Sequence, residues 1–387
     1  MEHQAEKLKI VYVTPALYMA GGVERVLATK ANYLADHLGY DITIILTEGG
    51  DKPPFYPLSD KIRIVNLGIG FEELWTCSFV RKIFVYLKKQ WVYKKRLTAE
   101  LMRLHPDITV SLLRREINFI NAIPDGSKKI GELHINRANY RNFDAEGGGF
   151  VKRQFAKLWA RNLLRHLKQL DRLVVLTDKD REAWTELTNV VTIPDPLPFI
   201  PSAVSPQTAK RVVCMARYSH EKGIDLLLRA WAELEQSNQE WRLDVYGDGD
   251  RAGYERLLDE LQIDRSRCQL HGRTNDVEHE YTHSSLFVLS SRFEGFGMVI
   301  TEAMACGLPV VAFDCPWGPR SIISDGEDGL LAANGNTTDL AQKMLQLMGD
   351  DGLRAGMAGR ALSNVQRYRI EQIVAQWQEL FSEVVSQ

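Results

Sequence analysis

The chain has 387 residues, of which 45% are hydrophobic and 25% charged, and its net charge at neutral pH is −2. A chain longer than about 300 residues usually divides into domains, so two or three domains are expected. The ordinary composition excludes collagen, coiled coils and long disordered tracts, and no apolar run is long enough to cross a bilayer as a helix.

The first half of the sequence alternates β-branched runs with helical patterns. Lys9–Thr14 predicts a strand, a turn with two adjacent glycines follows, and apolar residues then recur at helical spacing. Strands that alternate with helices indicate a parallel sheet with right-handed crossovers. The further predicted strands of this half are Asp41–Thr47, Ile108–Leu112, Lys129–Leu133 and Arg172–Leu176.

Basic residues are concentrated in the same half. Residues 1–195 carry 30 lysines and arginines against 23 acidic residues, whereas residues 196–387 carry 18 against 27. Residues 76–104 and 151–172 hold much of this excess, with aromatic residues among the basic ones. Such helices can lie on anionic membranes, and a solvated helix face is the alternative. We expect peripheral contact with the cytoplasmic membrane, and no nucleic-acid partner because no nucleic-acid motif is present.

A proline-rich segment separates the two halves, and the strand–helix alternation restarts after it. The sequence predicts a domain at 1–195, a linker at 196–209, a second domain at 210–365 and a helical segment at 366–387. The predicted strands of the second domain are Arg211–Met215, Arg242–Tyr246, Cys268–His271, Leu286–Leu289 and Pro309–Phe313, and its first predicted helices are Ile224–Leu234 and Tyr254–Leu261.

The N-terminus and the cysteines favour a cytoplasmic protein. Peripheral contact with the membrane would then take place on the inner face of the cytoplasmic membrane. The first seven residues are polar and lack the apolar centre of a signal peptide. The five cysteines contain no Cys-x-x-Cys pair, so neither a disulfide framework nor a zinc finger is expected. They are Cys77, Cys214, Cys268, Cys306 and Cys315.

The densest group of candidate functional residues follows the predicted strand Leu286–Leu289. Glu294 and Glu302 stand eight residues apart, on either side of the turn Gly295-Phe296-Gly297. Glycines let backbone N–H groups approach a ligand, and the N-terminus of the following helix attracts anions. We expect Glu294 at the turn and Glu302 on the first helical turn, where carboxylates can accept bonds from sugar hydroxyls. The alternative is a helix-capping acid and a solvated acid.

Two cations form a second candidate group. Arg217 and Lys222 follow the predicted strand Arg211–Met215 and precede a helix. An arginine there can bind two oxygens of a diphosphate and a lysine can act as a point charge, so that both stabilise a leaving nucleoside diphosphate. Two ordinary surface cations are the alternative.

The first half contributes a glycine pair and a histidine. Gly21-Gly22 offers an amide-lined turn after the first strand, although it matches neither the full dinucleotide motif nor the P-loop motif. His134 follows the predicted strand Lys129–Leu133, at the end of the sheet where α/β folds bind ligands. A hydrogen-bonded loop histidine is the alternative.

The run from Glu294 to Glu302 resembles the Glu-x7-Glu motif of retaining nucleotide-sugar glycosyltransferases of the GT-B fold. More narrowly, it is similar to the bacterial group 1 (family 4) enzymes of cell-surface polysaccharide assembly. The resemblance implies two Rossmann-like, doubly wound α/β domains that face each other across a cleft. The second domain would bind the donor, and the segment 366–387 would pack back on the first.

The same resemblance implies roles for individual residues. Glu302 would bind the ribose hydroxyls, Glu294 the hydroxyls of the donor sugar, and the Phe296–Gly297 backbone the sugar and diphosphate. The implied catalytic residues are Glu294, Arg217, Lys222 and His134, and the implied donor-binding residues are Glu302, Gly295, Phe296, Gly297, Gly21, Gly22 and Arg273.

Two metal-like patterns are predicted not to bind metal. His279-Glu280-Tyr281-Thr282-His283 matches the zinc-protease motif, but only a short helix fits there before the next strand. Asp248-Gly249-Asp250 resembles the Asp-x-Asp motif of the other major glycosyltransferase fold, and here it is predicted to be a turn that caps a helix.

The expected function is retaining, metal-independent transfer of a hexose or N-acetylhexosamine from a nucleoside diphosphate sugar, with UDP favoured over GDP. The acceptor would be a hydroxyl of a glycan or a polyprenyl-linked glycan, and no cofactor is expected. The alternatives are a GT-B nucleotide-sugar epimerase or phosphorylase, and a sugar-binding protein without catalysis.

Overall fold

The computed structural model describes residues 7–76, 78–140 and 160–387. The chain divides into two compact units, which are named unit 1 and unit 2 below. Unit 1 comprises Met1–Pro196 and Ile370–Gln387, and unit 2 comprises Leu197–Arg369. Each unit contains a parallel sheet with alternating helices, so the α/β class predicted from the sequence is confirmed.

The sheet of unit 1 has seven parallel strands within the described residues, in the order β3-β2-β1-β4-β5-β6-β7. β1 pairs with β2 on one side and with β4 on the other, and its side chains from Ile10 onward are buried. The strands are β1 (Lys9–Thr14), β2 (Asp41–Leu46), β3 (Arg63–Asn66), β4 (Ile108–Ser111), β5 (Lys128–Glu132), β6 (Arg172–Val175) and β7 (Val190–Thr192).

Helices complete unit 1. The longest is α2, which buries Tyr93, Leu97 and Leu101 against the core under β1 and β2. The described helices of the unit are α1 (Gly22–Asp36), α2 (Phe79–Leu104), α3 (residues 160–168), α4 (Asp178–Ala183) and, after unit 2, α12 (Ile370–Ser386).

The C-terminal helix α12 is part of the core of unit 1. It packs along α1 and buries a row of apolar side chains that includes Trp377 and Phe381. The Lys30 ammonium of α1 lies 3.8 Å from the centroid of the Trp377 ring, and Glu383 forms an ion pair with Arg172. The residues that complete this core are therefore far from the rest of unit 1 in sequence.

The sheet of unit 2 has six parallel strands among the residues described, in the order β10-β9-β8-β11-β12-β13. Val212 and Val213 of β8 lie opposite Leu286 and Phe287 of β11, and all four are fully buried. The strands are β8 (Arg211–Met215), β9 (Arg242–Tyr246), β10 (Cys268–His271), β11 (Leu286–Leu289), β12 (Val310–Phe313) and β13 (Gly329–Ala332).

Seven helices of unit 2 fall within the described chain. Trp231 on α5 and Trp241 before β9 are among the largest buried side chains of its core. The helices are α5 (Ile224–Glu235), α6 (Ala252–Glu260), α7 (Val277–Thr282), α8 (Met298–Ala305), α9 (Pro319–Ile322), α10 (Thr337–Gly349) and α11 (Asp351–Asn364).

The segment 196–209, expected as a linker, is hydrogen bonded to unit 2. The Leu197 N–H donates to the Tyr368 carbonyl over 2.7 Å, and the Ser205 N–H donates to the Cys306 carbonyl over 2.8 Å. Cys77 and residues 151–159 of the basic stretch 151–172 lie outside the described residues. In the part of the chain that is described, no helix is both long and apolar enough to span a bilayer.

Candidate active site

The strand order of unit 2 places its topological switch point between β8 and β11. β9 and β10 lie on one side of β8, and β12 and β13 lie beyond β11. Open α/β sheets bind ligands at the carboxyl ends of the strands where the order reverses. The loop 216–223 follows β8 and the loop 290–297 follows β11, so both candidate motifs of unit 2 lie at this point.

Lys222 and Glu294 form an ion pair between these two loops. The Lys222 Nζ atom lies 2.8 Å and 3.0 Å from the two carboxylate oxygens of Glu294. The Ser291 hydroxyl donates to Glu294 Oε1 over 2.6 Å. The exposed fractions of the Lys222 and Glu294 side chains are 19% and 9%, so the pair is largely shielded from water. Charge-assisted bonds of this kind fix the carboxylate in one orientation.

Contacts between the loops hold this pair in place. The Arg292 guanidinium donates to both carboxylate oxygens of Asp225, over 2.9 Å and 2.7 Å. The Ser290 hydroxyl donates to the Lys222 carbonyl over 3.0 Å. Gly223 has φ +60°, and a Cβ there would lie 2.1 Å from the Ser290 carbonyl oxygen. The backbones therefore meet closely enough to exclude any larger residue, which makes the two loops one packed structure.

The glycine turn ends at the N-terminus of α8. Gly297 is the N-cap of this helix and has φ +99°, a backbone conformation that favours glycine. Gly295 is half-buried in the turn. The partial positive charge of the first turn of α8 is therefore next to Glu294. A helix N-terminus of this kind stabilises anionic groups.

The side chain of Phe296 belongs to the protein core. It is 3% exposed, and its ring lies edge-on to Tyr368 with 5.4 Å between centroids. A Cβ on Gly318 would lie 2.4 Å from the Phe296 carbonyl oxygen and 2.7 Å from Glu294 Cβ. The loop after β12 therefore packs directly on the turn Gly295-Phe296-Gly297. A ligand could contact only the backbone of this turn.

Glu302 is more deeply placed than the sequence suggested. It was expected on the first turn of the helix, but α8 begins at Met298 and Glu302 stands on its second turn, 3% exposed. The Tyr281 hydroxyl of α7 donates to Glu302 Oε2 over 3.2 Å. Because Gly297 in the left-handed conformation is the N-cap, Met298 to Thr301 make up the first turn of α8 and Glu302 follows it.

The two predicted arginines are exposed. Arg217 has 67% of its side chain exposed and forms an ion pair with Glu221 in its own loop. Arg273 follows β10 and is also exposed. Beside it, the His271 ring stacks on Tyr246 with 4.4 Å between centroids. Neither arginine takes part in the Lys222–Glu294 pair.

The metal-like patterns have structural roles. Glu280 pairs with Arg211 over 2.6 Å, and the His283 Nδ1 atom lies 2.9 Å from the His279 carbonyl. Asp250 accepts a bond from the Ala252 N–H, at the start of α6, over 2.9 Å. Among the described residues, no group of three or more His, Cys, Asp or Glu side chains is arranged to hold a metal ion.

Gly21 and Gly22 lie in unit 1, at the carboxyl end of β1. Gly21 is the N-cap of α1, and its carbonyl accepts a bond from the Arg25 N–H over 3.1 Å. β1 lies between β2 and β4, where the strand order of this sheet reverses. The glycine pair therefore occupies in unit 1 the position that the loop after β8 occupies in unit 2.

His134 belongs to a buried charged cluster of unit 1. Its Nε2 and Nδ1 atoms each lie 3.3 Å from a carboxylate oxygen, of Glu132 and Asp195 respectively. Glu132 also pairs with Lys30 over 2.5 Å, and both side chains are almost fully buried. This is the same Lys30 that lies over the Trp377 ring, so the cluster connects β5, α1 and α12.

The cluster keeps His134 positively charged. Burial lowers the pKa of His134, but Asp195 and Glu132 outweigh burial and raise that pKa to about 9. Burial raises the pKa of Glu132, but Lys30 and His134 outweigh it and lower that pKa to about 2. At neutral pH both ring nitrogens of His134 are protonated, which leaves neither as a proton acceptor.

The structure thus brings Lys222, Glu294 and the turn Gly295-Phe296-Gly297 together in unit 2, while Gly21, Gly22 and His134 lie in unit 1. The sequence did not reveal the supporting roles of Ser291, Arg292, Tyr281 and Asp195. Tyr281 lies inside the zinc-like motif, and a buried tyrosine hydroxyl usually has a hydrogen-bond partner.

The sequence of this chain is similar to those of known glycosyltransferases. Residues 209–350 match the family model for glycosyl transferases group 1. An uncharacterized glycosyltransferase of Haemophilus influenzae is 28% identical over 95% of this chain and 98% of its own. The amylovoran biosynthesis glycosyltransferase AmsD of Erwinia amylovora is 23% identical over 97% of this chain and 99% of its own. A Campylobacter jejuni N-acetyl-D-galactosaminyltransferase, whose name includes a diNAcBac-PP-undecaprenol-linked glycan, is 25% identical over 97% of this chain and 99% of its own.

Solved structures share the fold over the whole chain. TarM superposes with a TM-score of 0.74 at 18% identity, covering 98% of this chain and 99% of its own. The pneumococcal O-GlcNAc transferase GtfA, in complex with UDP and GlcNAc, has a TM-score of 0.73 at 15% identity, covering 99% and 100%. Both are GT-B proteins, so the GT-B fold expected from the sequence is confirmed.

Proposed function

We propose that this chain, which has the GT-B fold and matches the group 1 glycosyltransferase model over residues 209–350, transfers a hexose or an N-acetylhexosamine from a nucleoside diphosphate sugar. The acceptor is a hydroxyl of a glycan or a lipid-linked glycan in surface polysaccharide synthesis. UDP is favoured over GDP because the GtfA structure contains UDP, and a lipid-linked acceptor is supported by the name of the Campylobacter relative.

The observation that carries the proposal is the Lys222–Glu294 pair beside the N-terminus of α8. A carboxylate already fixed by an ammonium and by the Ser291 hydroxyl is prepared to accept bonds from sugar hydroxyls. The ammonium and the helix terminus supply positive charge for the diphosphate next to that sugar. The carboxylate thus suits the sugar, and the cation and the helix end suit the diphosphate.

The proposed reaction retains the anomeric configuration. The acceptor hydroxyl attacks the anomeric carbon from the face that the diphosphate leaves. The bond from the anomeric carbon to the phosphate oxygen breaks, the new glycosidic bond forms, and the acceptor proton passes to the departing diphosphate. Lys222 and Arg217 stabilise the charge on the diphosphate, so the proposal requires no bound metal.

The remaining predicted residues support donor binding in this proposal. Glu302 binds the ribose hydroxyls and is oriented by Tyr281. The backbone of the glycine turn approaches the sugar and diphosphate, and Arg273 lies near the base. Gly21, Gly22 and His134 lie in unit 1, and their roles in donor binding stay predictions from the sequence.

Thermal unfolding of the whole chain with UDP, GDP, ADP or CMP, each with and without EDTA, tests the donor site. A nucleotide at 100 times its dissociation constant stabilises the folded state by about 2.7 kcal/mol, which shifts the melting temperature by several degrees. We expect UDP to give this shift in EDTA. A shift that needs a divalent cation would contradict metal independence, and no shift from any nucleotide would contradict the donor site.

Matched variants assign the effect to the pair. We expect Lys222→Met and Glu294→Gln to abolish turnover of the donor. The exposed Lys210–Glu240 pair, 3.9 Å apart, provides Lys210→Met and Glu240→Gln as controls that leave turnover unchanged. Mass spectrometry of the products, with proton NMR to detect an epimer of unchanged mass, then separates the alternatives. A glycosylated acceptor supports transfer, an altered nucleotide sugar indicates an epimerase, a sugar phosphate indicates a phosphorylase, and no turnover indicates binding alone.

A further inference from the structure

The outer face of α2 exposes large apolar side chains in a continuous stripe. Ile83, Phe84, Leu87 and Trp91 are 47%, 70%, 59% and 65% exposed. Residues three and four apart are neighbours on a helix, so these four lie on one face, over about 12 Å of helix rise. We name them the α2 stripe. Soluble surfaces usually carry such residues singly, so a stripe indicates an interaction surface.

The packing of α2 fixes the direction of this stripe. A neighbouring face of the helix, toward its C-terminal end, buries Tyr93, Leu97 and Leu101 in the core of unit 1. On the inner side, the Lys89 Nζ atom donates to the Ile69 carbonyl over 2.6 Å and Arg96 donates to the Leu67 carbonyl over 2.5 Å. The helix cannot rotate to hide the stripe without breaking these contacts.

Exposed lysines flank the stripe. Lys88, Lys94 and Lys95 are exposed, and none forms an ion pair with a residue in the described ranges. The Lys95 Nζ atom lies 5.6 Å from the centroid of the Trp91 ring, so aromatic and cationic groups share the surface. Lysine side chains beside an apolar stripe can extend to lipid headgroups while the apolar groups enter the boundary of the acyl chains.

We propose that the outer face of α2 binds the surface of an anionic bilayer, with the helix axis parallel to the membrane. The charge of the flanking lysines complements anionic headgroups, and the stripe inserts about 5–10 Å, to the depth typical of interfacial helices. α2 is too polar to cross the bilayer, so it lies on the surface instead. This proposal goes beyond the transfer reaction and does not depend on which sugar is moved.

Flotation of the whole chain with vesicles tests the proposal. We expect binding to vesicles of phosphatidylcholine with phosphatidylglycerol, weakening with salt, and little binding to phosphatidylcholine alone. The variant Phe84→Ser/Trp91→Ser removes the two most exposed members of the stripe and should lower partitioning about tenfold or more. Ile200 and Val204 of unit 2 are 59% and 50% exposed, so Ile200→Ser/Val204→Ser is a control that also removes two exposed apolar side chains.

A second variant pair tests the electrostatic part. Lys88→Glu/Lys95→Glu should weaken binding by at least about fivefold for each lysine removed, which corresponds to about 1 kcal/mol per charge. Arg229→Glu/Arg256→Glu reverses two exposed charges of unit 2 and should leave binding unchanged. Because all of these positions are exposed, thermal unfolding of each variant should match that of the wild type.

Three results would overturn the proposal. The first is equal binding of the wild type to both kinds of vesicle, or to neither. The second is a stripe variant that binds as the wild type does. The third is a concentration-dependent dimer in sedimentation velocity that the stripe variant abolishes without any vesicle binding, which would assign the stripe to a second copy of the chain. None of these readouts uses donor or acceptor, so failure here is distinguishable from failure of the transfer reaction.

Discussion

The Tyr281 hydroxyl donates a hydrogen bond to Glu302 Oε2 over 3.2 Å, from α7 to α8 within unit 2. The Tyr281 side chain is fully buried, and its ring lies edge-on to Phe287, 5.7 Å away. Because the Tyr281 ring packs against Phe287 of β11, its hydroxyl fixes the orientation of the Glu302 carboxylate. Since Glu302 is proposed to bind ribose, Tyr281 acts as a positioning residue for the nucleoside.

Removing only this hydroxyl should weaken nucleotide binding. We expect Tyr281→Phe to raise the dissociation constant for UDP about fivefold, because a hydrogen bond to a charged group is worth more than a neutral one. Isothermal titration with UDP measures the change. Tyr33 of α1, whose ring stacks on His37, gives Tyr33→Phe as a control. An unchanged dissociation constant for Tyr281→Phe would show that the carboxylate orients itself without the phenol.

Substitutions at the Lys222–Glu294 pair should affect stability and activity differently. Lys222→Met alone leaves the shielded Glu294 carboxylate without its cation. We expect this change to lower the free energy of unfolding by about 1–2 kcal/mol. The loss is smaller than for a fully buried pair because Lys222 is partly exposed. Lys222→Met/Glu294→Gln should recover much of this stability and remain inactive. Urea unfolding and donor turnover measure the two quantities. Recovery of activity with stability would mean that the pair is structural.

The contact of Gly318 with the glycine turn predicts a local steric effect. Gly318→Ala places a Cβ 2.4 Å from the Phe296 carbonyl oxygen, so the turn or the loop must move. We expect a loss of about 1–3 kcal/mol of stability and weaker UDP binding. Gly349→Ala meets no atom within 4 Å and serves as the control. Calorimetry that finds the two variants equally stable would argue against close packing of this loop.

The charged cluster around His134 predicts a pH dependence. The folded-state pKa is about 9 and the ordinary value is 6.5, so folding favours the protonated form. The stabilisation is complete below about pH 6.5 and is lost as the pH rises through about 9, by at most about 3 kcal/mol. We expect His134→Gln to flatten the fall in stability between these values, and His283→Gln, at an exposed site, to leave it unchanged. Denaturant unfolding at several pH values measures the free energy of unfolding. If this free energy fell with pH in parallel for the wild type and His134→Gln, the assignment of the fall to His134 would be contradicted.

Several strands of unit 2 could be predicted with their bounds. Arg211–Met215, Arg242–Tyr246, Cys268–His271 and Leu286–Leu289 are strands as expected, because each is a short segment with buried apolar residues between turn residues. The edge strands Arg63–Asn66 and Val190–Thr192 were missed. They are short and partly exposed, and their formation depends on pairing with β2 and β6, which no local pattern reveals.

The candidate site was predictable where its residues are close in sequence. Glu294, the glycine turn and Glu302 belong to one run, and spacing alone placed them together. The partners that orient them could not be found in this way. Arg292 contacts Asp225 across 67 residues, and Lys222 contacts Glu294 across 72. Such pairs form only because β8 and β11 are adjacent in the sheet, a property of topology that the sequence does not state locally.

The position of α12 has a consequence for the order in which the chain folds during synthesis. Domains generally fold as they emerge, the N-terminal one first. Here the helix that carries Trp377 leaves the ribosome after all of unit 2, yet it lies against Lys30 in the core of unit 1. Until then, the Lys30–Glu132 pair lacks the Trp377 ring that lies over Lys30. The unit that is translated first is therefore the last to be completed, and a nascent chain halted at Arg369 would carry a complete unit 2 and an incomplete unit 1.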